Sequence, residues 1–223
     1  ALQEQGDLDN AIASYKKAIN LKPNYSDAQN NLGTAFLEKG ELKSAVHSYD
    51  QVLQANPNHP EAHYNLGNAL KELGELQAAI SSYQRAIKLK PNYTKAYYNL
   101  ANAYKSSGDL QAAVGFYQIV LKLRTNFPEA HNNLGIAYAE QGNLNASINS
   151  YQQAIKLKPN YPEAYNNLGN ALQEQGDLNS AINSFQKALQ INPNYPEAYR
   201  NLSLVELLSG DYDSGWEHHQ WRW

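Results

Sequence analysis

The chain contains no cysteine and no methionine, and only four phenylalanines. Without cysteine it has no disulfide framework, no thiolate metal site and no cysteine nucleophile. Neither sign of charge dominates: 18 Lys and Arg against 21 Asp and Glu leave a net charge of −3, so the bulk balance does not draw the protein to phosphate or to an anionic membrane. No apolar run approaches the ~18 residues of a membrane span. The opening stretch Ala1-Leu2-Gln3-Glu4-Gln5 is polar, unlike a signal peptide. With 42% hydrophobic content over 223 residues, the chain is still long and apolar enough to bury a core. Its lack of any methionine gives the expectation of a segment from a longer polypeptide, and the expected location is cytoplasmic.

The sequence is rich in repetition. Gly6, Gly40, Gly74, Gly108, Gly142, Gly176 and Gly210 recur every 34 residues. Pro23, Pro57, Pro91, Pro159 and Pro193 keep the same phase, interrupted where Thr125 stands in the expected place. A period of this size marks stacked supersecondary units that cannot bury their apolar faces singly. Residues 162–195 form the clearest unit. Ala164, Leu168, Ala171 and Leu172 share one face of a first helix, and Gly169 permits close approach of a neighbour. Leu178, Ala181, Ile182, Phe185, Ala188 and Leu189 do the same in a second helix. Pro162 suits the first helical position, Gly176 supplies a left-handed stop, and Asp177 can cap the second helix. Each helix should run about 12 to 14 residues, or roughly 20 Å.

These signals resemble the tetratricopeptide repeat family. The same places recur as Leu32, Gly33, Phe36, Ala45, Tyr49 and Pro57, and again as Leu66, Gly67, Leu70, Ala79, Tyr83 and Pro91. The resemblance covers the whole chain and implies an all-α, right-handed solenoid of antiparallel helix pairs, with first helices lining a concave groove. A single solenoid is expected: a partial repeat at 1–25, full repeats at 26–59, 60–93, 94–127, 128–161 and 162–195, and a divergent partial repeat at 196–223.

Counting from the first residue of each unit, the core direction of the first helix passes through positions 3, 7, 10 and 11. At about 100° per residue, positions 2, 5, 6, 9 and 13 then face the other way, into the implied groove. Position 6 is Asn31, Asn65, Asn99, Asn133, Asn167 and Asn201. An asparagine amide offers an acceptor and two donor hydrogens, matching the main chain of an extended peptide. Asn68, Asn102 and Asn170 at position 9, with Tyr64 and Tyr98 at position 5, extend this polar and aromatic lining. The competing reading is that the ladder bonds neighbouring repeats to one another or faces water. An asparagine ladder at this place is similar to the superhelical arm of O-GlcNAc transferase, where the resemblance implies a clamp on protein substrates. The acidic series Asp27, Glu61, Glu129, Glu163 and Glu197 at position 2 complements the helix dipole. Lys95 followed by Asn99 lacks the arginine that a clamp for chaperone tails would need.

No catalytic apparatus is visible: there is no phosphate-binding glycine loop, no HExxH and no GxSxG. No cofactor and no metal site are expected. His63 and His131 occupy a place filled elsewhere by Tyr97, Tyr165 and Tyr199, which marks them as packing residues. Adjacent His218 and His219 point to different faces of a helix and make a poor metal pair. In the last repeat Ser203 replaces the packing glycine and Glu206 enters a core place, while Leu204, Leu207 and Leu208 take groove-facing places. Trp216, Trp221 and Trp223 crowd the same end. These leucines and tryptophans read as an interface, either for self-association or for docking a further domain. The expected function is a non-catalytic scaffold that binds an extended peptide of another protein. The alternative is the substrate-recognition arm of a larger protein glycosyltransferase. An RNA-binding helical repeat is disfavoured by the pI of about 6.1 and the lack of a basic groove.

Overall fold

The computed structural model describes residues 7–219, so Trp221 and Trp223 lie outside the described residues. All regular structure among them is helical. In chain order the helices are α1 (Leu8–Leu21), α2 (Ser26–Glu38), α3 (Leu42–Ala55), α4 (Pro60–Glu72), α5 (Leu76–Leu89), α6 (Thr94–Ser106), α7 (Leu110–Leu123), α8 (Pro128–Glu140), α9 (Leu144–Leu157), α10 (Pro162–Gln175), α11 (Leu178–Ile191), α12 (Pro196–Ser209) and α13 (Tyr212–His219). Each turn is only a few residues long, and consecutive helices pack together from α1 to α6 and from α7 to α13, which makes neighbouring helices antiparallel. No helix among the described residues is long and apolar enough to cross a membrane.

Local chemistry places the breaks. Pro60, Pro128, Pro162 and Pro196 each open a first helix, where the missing N–H costs nothing. The periodic glycines from Gly40 to Gly210 all have φ between 75° and 90°, the left-handed conformation that a side chain would strain. Asp7, Asn143 and Asp177 cap α1, α9 and α11 through their side-chain oxygens, as the sequence predicts for Asp177.

The chain forms two compact units, residues 1–109 and 110–223. Within the first, α2 touches α4 and α4 touches α6, whereas α3 and α5 do not meet. Within the second, α8 touches α10 and α10 touches α12, whereas α9, α11 and α13 stay apart from one another. First helices are therefore crowded along one wall of each unit and second helices splay along the other. This makes the first-helix wall the inner one.

The core sits between the two rows. Tyr49, Tyr83 and Phe185 on second helices have no exposed surface. Their rings lie over Gly33, Gly67 and Gly169, so close that a Cβ on any of these glycines would sit 2.6 Å from a ring carbon. In the second unit Tyr151, Leu168, Leu172, Phe185, Leu202 and Val205 form one buried cluster.

Candidate functional site

The inner wall of each unit is built from one stripe of each of its first helices. The position-6 asparagines lie on it and reach from one first helix to the one before. Asn65 Nδ2 donates to Asn30 Oδ1 at 3.1 Å, Asn167 Nδ2 to Asn132 Oδ1 at 3.0 Å, and Asn201 Nδ2 to Asn166 Oδ1 at 3.1 Å. Asn99 Nδ2 meets Asn68 Oδ1 at 2.8 Å and the Tyr64 hydroxyl at 3.3 Å, because a tyrosine occupies position 5 there. The Nδ2 of each of these four amides is thus engaged by the scaffold. Their Oδ1 atoms have no partner among the described residues. Asn31 is exposed and its side chain makes no hydrogen bond among the described residues, and Asn133 is half-buried.

Position 5 does not line the wall as freely as its helical angle suggests. Asn132 and Asn166 are only 5% and 6% exposed, sunk between adjacent first helices as acceptors. Tyr64 leans on the rings of Tyr93 and Tyr83, with centroids 5.0 and 6.1 Å away, and Tyr98 is half-buried. At position 9, Asn68 also accepts from the Tyr83 hydroxyl at 2.9 Å. Asn102 is half-buried. Asn170 is exposed and unbonded among the described residues, because the residue equivalent to Tyr83 is Phe185, which has no hydroxyl to hold it.

The scaffold bonds have a measurable consequence. In Asn201→Ala the Asn166 oxygen stays buried without a donor, so the variant should lose ~1–3 kcal/mol of stability. A urea midpoint that does not move would show the bond to be dispensable.

The acidic position 2 has a second role besides facing the dipole. Glu61 pairs with Lys90 at 2.8 Å, and Lys158 lies 3.8 Å from Glu129. The same lysines cover the ring that ends each repeat: Lys90 Nζ stands 4.7 Å from the Tyr93 centroid and Lys158 Nζ 4.3 Å from that of Tyr161. The Glu61 carboxyl is held below the usual range, chiefly by the Lys90 ammonium.

His63 and His131 act as latches. His63 Nε2 bonds the Pro57 carbonyl at 2.9 Å, and His131 bonds the carbonyl of Thr125, the residue that replaces proline there. Burial lowers both imidazoles from the ordinary value of 6.5 despite these bonds. The unfolded chain therefore binds more protons than the native one just below that value. The stability they contribute is full above pH 6.5 and is lost as pH falls toward the lowered native values. Replacing both by the tyrosine of sister repeats, His63→Tyr with His131→Tyr, should flatten the fall in stability between about pH 7.5 and about pH 5. Denaturation series across that range would read the slope, and an unchanged slope would place its origin elsewhere.

The last repeat departs from the sequence expectation in one respect. Leu207 does not face the groove: its side chain lies against Gly215, where an added Cβ would stand 2.8 Å from it. Of the three leucines, Leu204 and Leu208 are exposed on the inner wall, at 49% and 58%. Glu206 is 3% exposed and tied to His218 Nδ1 at 2.7 Å, a partner that explains how a carboxylate occupies a core place. The Ser203 hydroxyl donates to the Gly215 carbonyl at 2.8 Å, and His219 stands edge-on to Trp216 at 5.4 Å. Histidine, aspartate and glutamate nowhere gather in a group of three able to hold a metal among the described residues.

Family models described as TPR repeat match residues 1–40, 33–74, 67–108, 101–142 and 137–176, and a tetratricopeptide repeat model matches 162–195. No curated protein matches the chain. Among solved structures, MamA is 30% identical with a TM-score of 0.70, covering 73% of this chain and 95% of its own. YrrB, described as a TPR protein with an unusual peptide-binding site, is 21% identical with a TM-score of 0.71, covering 82% of this chain and 95% of its own. A tetratricopeptide repeat protein from Parabacteroides merdae is 20% identical with a TM-score of 0.76, covering 98% of this chain and 87% of its own.

Proposed function

The chain belongs to the tetratricopeptide repeat family, and from that premise we propose that it is a protein-interaction scaffold whose inner wall holds an extended peptide through the asparagine ladder. The observation that carries this reading is the half-spent amide. On Asn65, Asn99, Asn167 and Asn201 the Nδ2 is anchored to the preceding repeat, while the Oδ1 has no partner among the described residues. The anchored bond fixes the orientation of the amide and removes much of the ordering cost when a main-chain N–H arrives. YrrB, a TPR protein of similar fold, has a peptide-binding site, which favours a binding role for a wall of this kind.

Asn31 and Asn170 are the cleanest probes, since both are exposed and neither bonds the described scaffold. Peptides selected from a random display library on the immobilised chain should bind Asn31→Ala or Asn170→Ala roughly 2- to 13-fold more weakly, as one net hydrogen bond of ~0.5–1.5 kcal/mol is removed. The urea midpoint should not change. A library that yields no binder, or binders indifferent to both variants and to Asn99→Ala, Asn133→Ala and Asn167→Ala combined, would reject the ladder.

A second reading concerns α13. Leu178 and Ile182 on α11 pack into the cluster that α12 completes. Their counterparts on α13, Tyr212 and Trp216, are 64% and 58% exposed. Self-association through this face is the corresponding proposal. Sedimentation velocity should show a concentration-dependent dimer that Trp216→Ser abolishes, and a monomer at every concentration would dismiss it.

A further inference from the structure

We propose that the inner wall of residues 110–219 selects an extended segment carrying large apolar side chains flanked by lysine or arginine. This inference rests on the groove-binding reading above and names the class of partner that the groove takes.

Its apolar part is the pair Leu204 and Leu208. They stand one turn apart on α12, in the same stripe as Glu197 and Asn201, and are about half exposed. The preceding repeat has Asn170 and Glu174 at these two places, and the one before it Ile136 and Glu140. The core has no need of the leucines, since Ala198, Leu202 and Val205 already fill the α12 side of it with at most 1% exposure. Two aliphatic side chains held in water on a wall of polar repeats are an anchor for an apolar partner.

The charged part is a set of carboxylates on the same wall. Glu140, Glu163, Glu174 and Glu197 are all exposed and form no ion pair among the described residues. Glu129, on the same wall, has a cation near it, Lys158 at 3.8 Å. Arg200 is the one cationic side chain on the inner stripes of α8, α10 and α12 among the described residues. Glu163 and Glu197 act on the same point: after burial, they are the two influences that raise the Tyr195 hydroxyl. Carboxylates gathered on a wall with low-dielectric protein behind it reinforce one another's field. An acidic segment is repelled by that field, and a cationic flank is drawn in without entering the apolar patch.

The occupant is fixed by the two parts together. A purely basic peptide would leave the leucines in water, and a purely apolar one would gain nothing from the carboxylates. Asn170, exposed between the two features, is placed to take the main chain as the side chains dock.

The test uses the whole chain and three short synthetic peptides that share a central run of leucine and phenylalanine, with flanks of lysine, serine or glutamate. Fluorescence anisotropy at about 0.05 M salt should rank lysine above serine above glutamate, with roughly tenfold between the first two, and the gap should close at about 0.5 M. Leu204→Ser with Leu208→Ser should weaken the lysine and serine peptides alike. Glu163→Gln with Glu197→Gln should weaken the lysine peptide alone. Both double variants replace exposed side chains, and a cooperative urea transition with undiminished helicity would verify that they fold, the glutamine variant's midpoint falling slightly with the lost helix-dipole interaction. Hydrogen exchange should show protection on α10 and α12. If the serine and lysine peptides bind equally, or the footprint falls only within residues 7–109, this inference is overturned and the groove reading stands. If no peptide of any charge binds, both fall.

Discussion

Replacing Phe185 by alanine should destabilise the second unit by ~3–5 kcal/mol, the range for emptying a fully buried aromatic site. The ring has no exposed surface and belongs to the same buried cluster as Leu168 on α10 and Leu202 and Val205 on α12. It therefore seals two junctions, the one within its own repeat and the one with the next. Contacts in a solenoid run between neighbours, so the loss should be local before it is global. Amides of α10, α11 and α12 should lose exchange protection before those of α8. Phe185→Leu, which keeps most of the volume, should recover much of the deficit. A midpoint shift equivalent to less than about 1 kcal/mol in the alanine variant would mean that the cluster collapses onto the space, and the ring would not be the seam described.

The opposite manipulation, Gly67→Val, should be nearly as damaging. A Cβ at Gly67 would stand 2.6 Å from Tyr83 Cε1, and valine adds two methyl groups beyond it. Tyr83 cannot yield easily, because it is fully buried and its hydroxyl is tied to Asn68 at 2.9 Å. Overpacking of this kind costs ~1–3 kcal/mol, and the upper end is expected where the opposing ring is held at both ends. Gly115→Ala is the internal control. It lies mid-helix in α7 with nothing within 4 Å of the added carbon, so the change should stabilise by ~0.5–1 kcal/mol through backbone entropy alone. If the two glycines responded alike to alanine, close packing would not be what distinguishes them. A double-mutant cycle of Gly67→Ala with Tyr83→Leu should be non-additive, since the smaller side chain makes room for the added carbon.

Several contacts on the inner wall join residues 35 apart, and they show how far a linear reading reaches. The helical angle puts position 6 on the first-helix wall, and leaves both a peptide clamp and a bond between repeats open for it. The bonds from Asn65 to Asn30 and from Asn201 to Asn166 show that the scaffold takes the donor and leaves the oxygen. A signal for this was present: wherever position 5 is asparagine, the next repeat offers a position-6 amide at a fixed offset, and where it is Tyr64 the amide of Asn99 turns also to Asn68. His63 and His131 likewise pair with the carbonyl at the proline position of the loop before them, a partner that the carbon-rich context of a packing residue does not reveal.

The last repeat shows the limit more sharply. Glu206 in a core place and Gly215 in place of alanine are each anomalous in the linear pattern. In the structure each is answered by one neighbour, His218 and Leu207 respectively. Leu207 groups with Leu204 and Leu208 in the sequence because the three fall near one another around the helix. It separates from them only because α13 comes close enough on that side to cover it.

What the sequence determined by itself is the periodic part: where each helix starts and stops, which stripe is apolar, and which glycines must take positive φ. Those choices depend on interactions within a few residues, and the 34-residue spacing restates them from end to end. Tertiary structure alone decided which polar atoms of the inner wall are spent and which remain. That depends on the separation and tilt of neighbouring first helices, and a shift of about an ångström is enough to make or break a hydrogen bond.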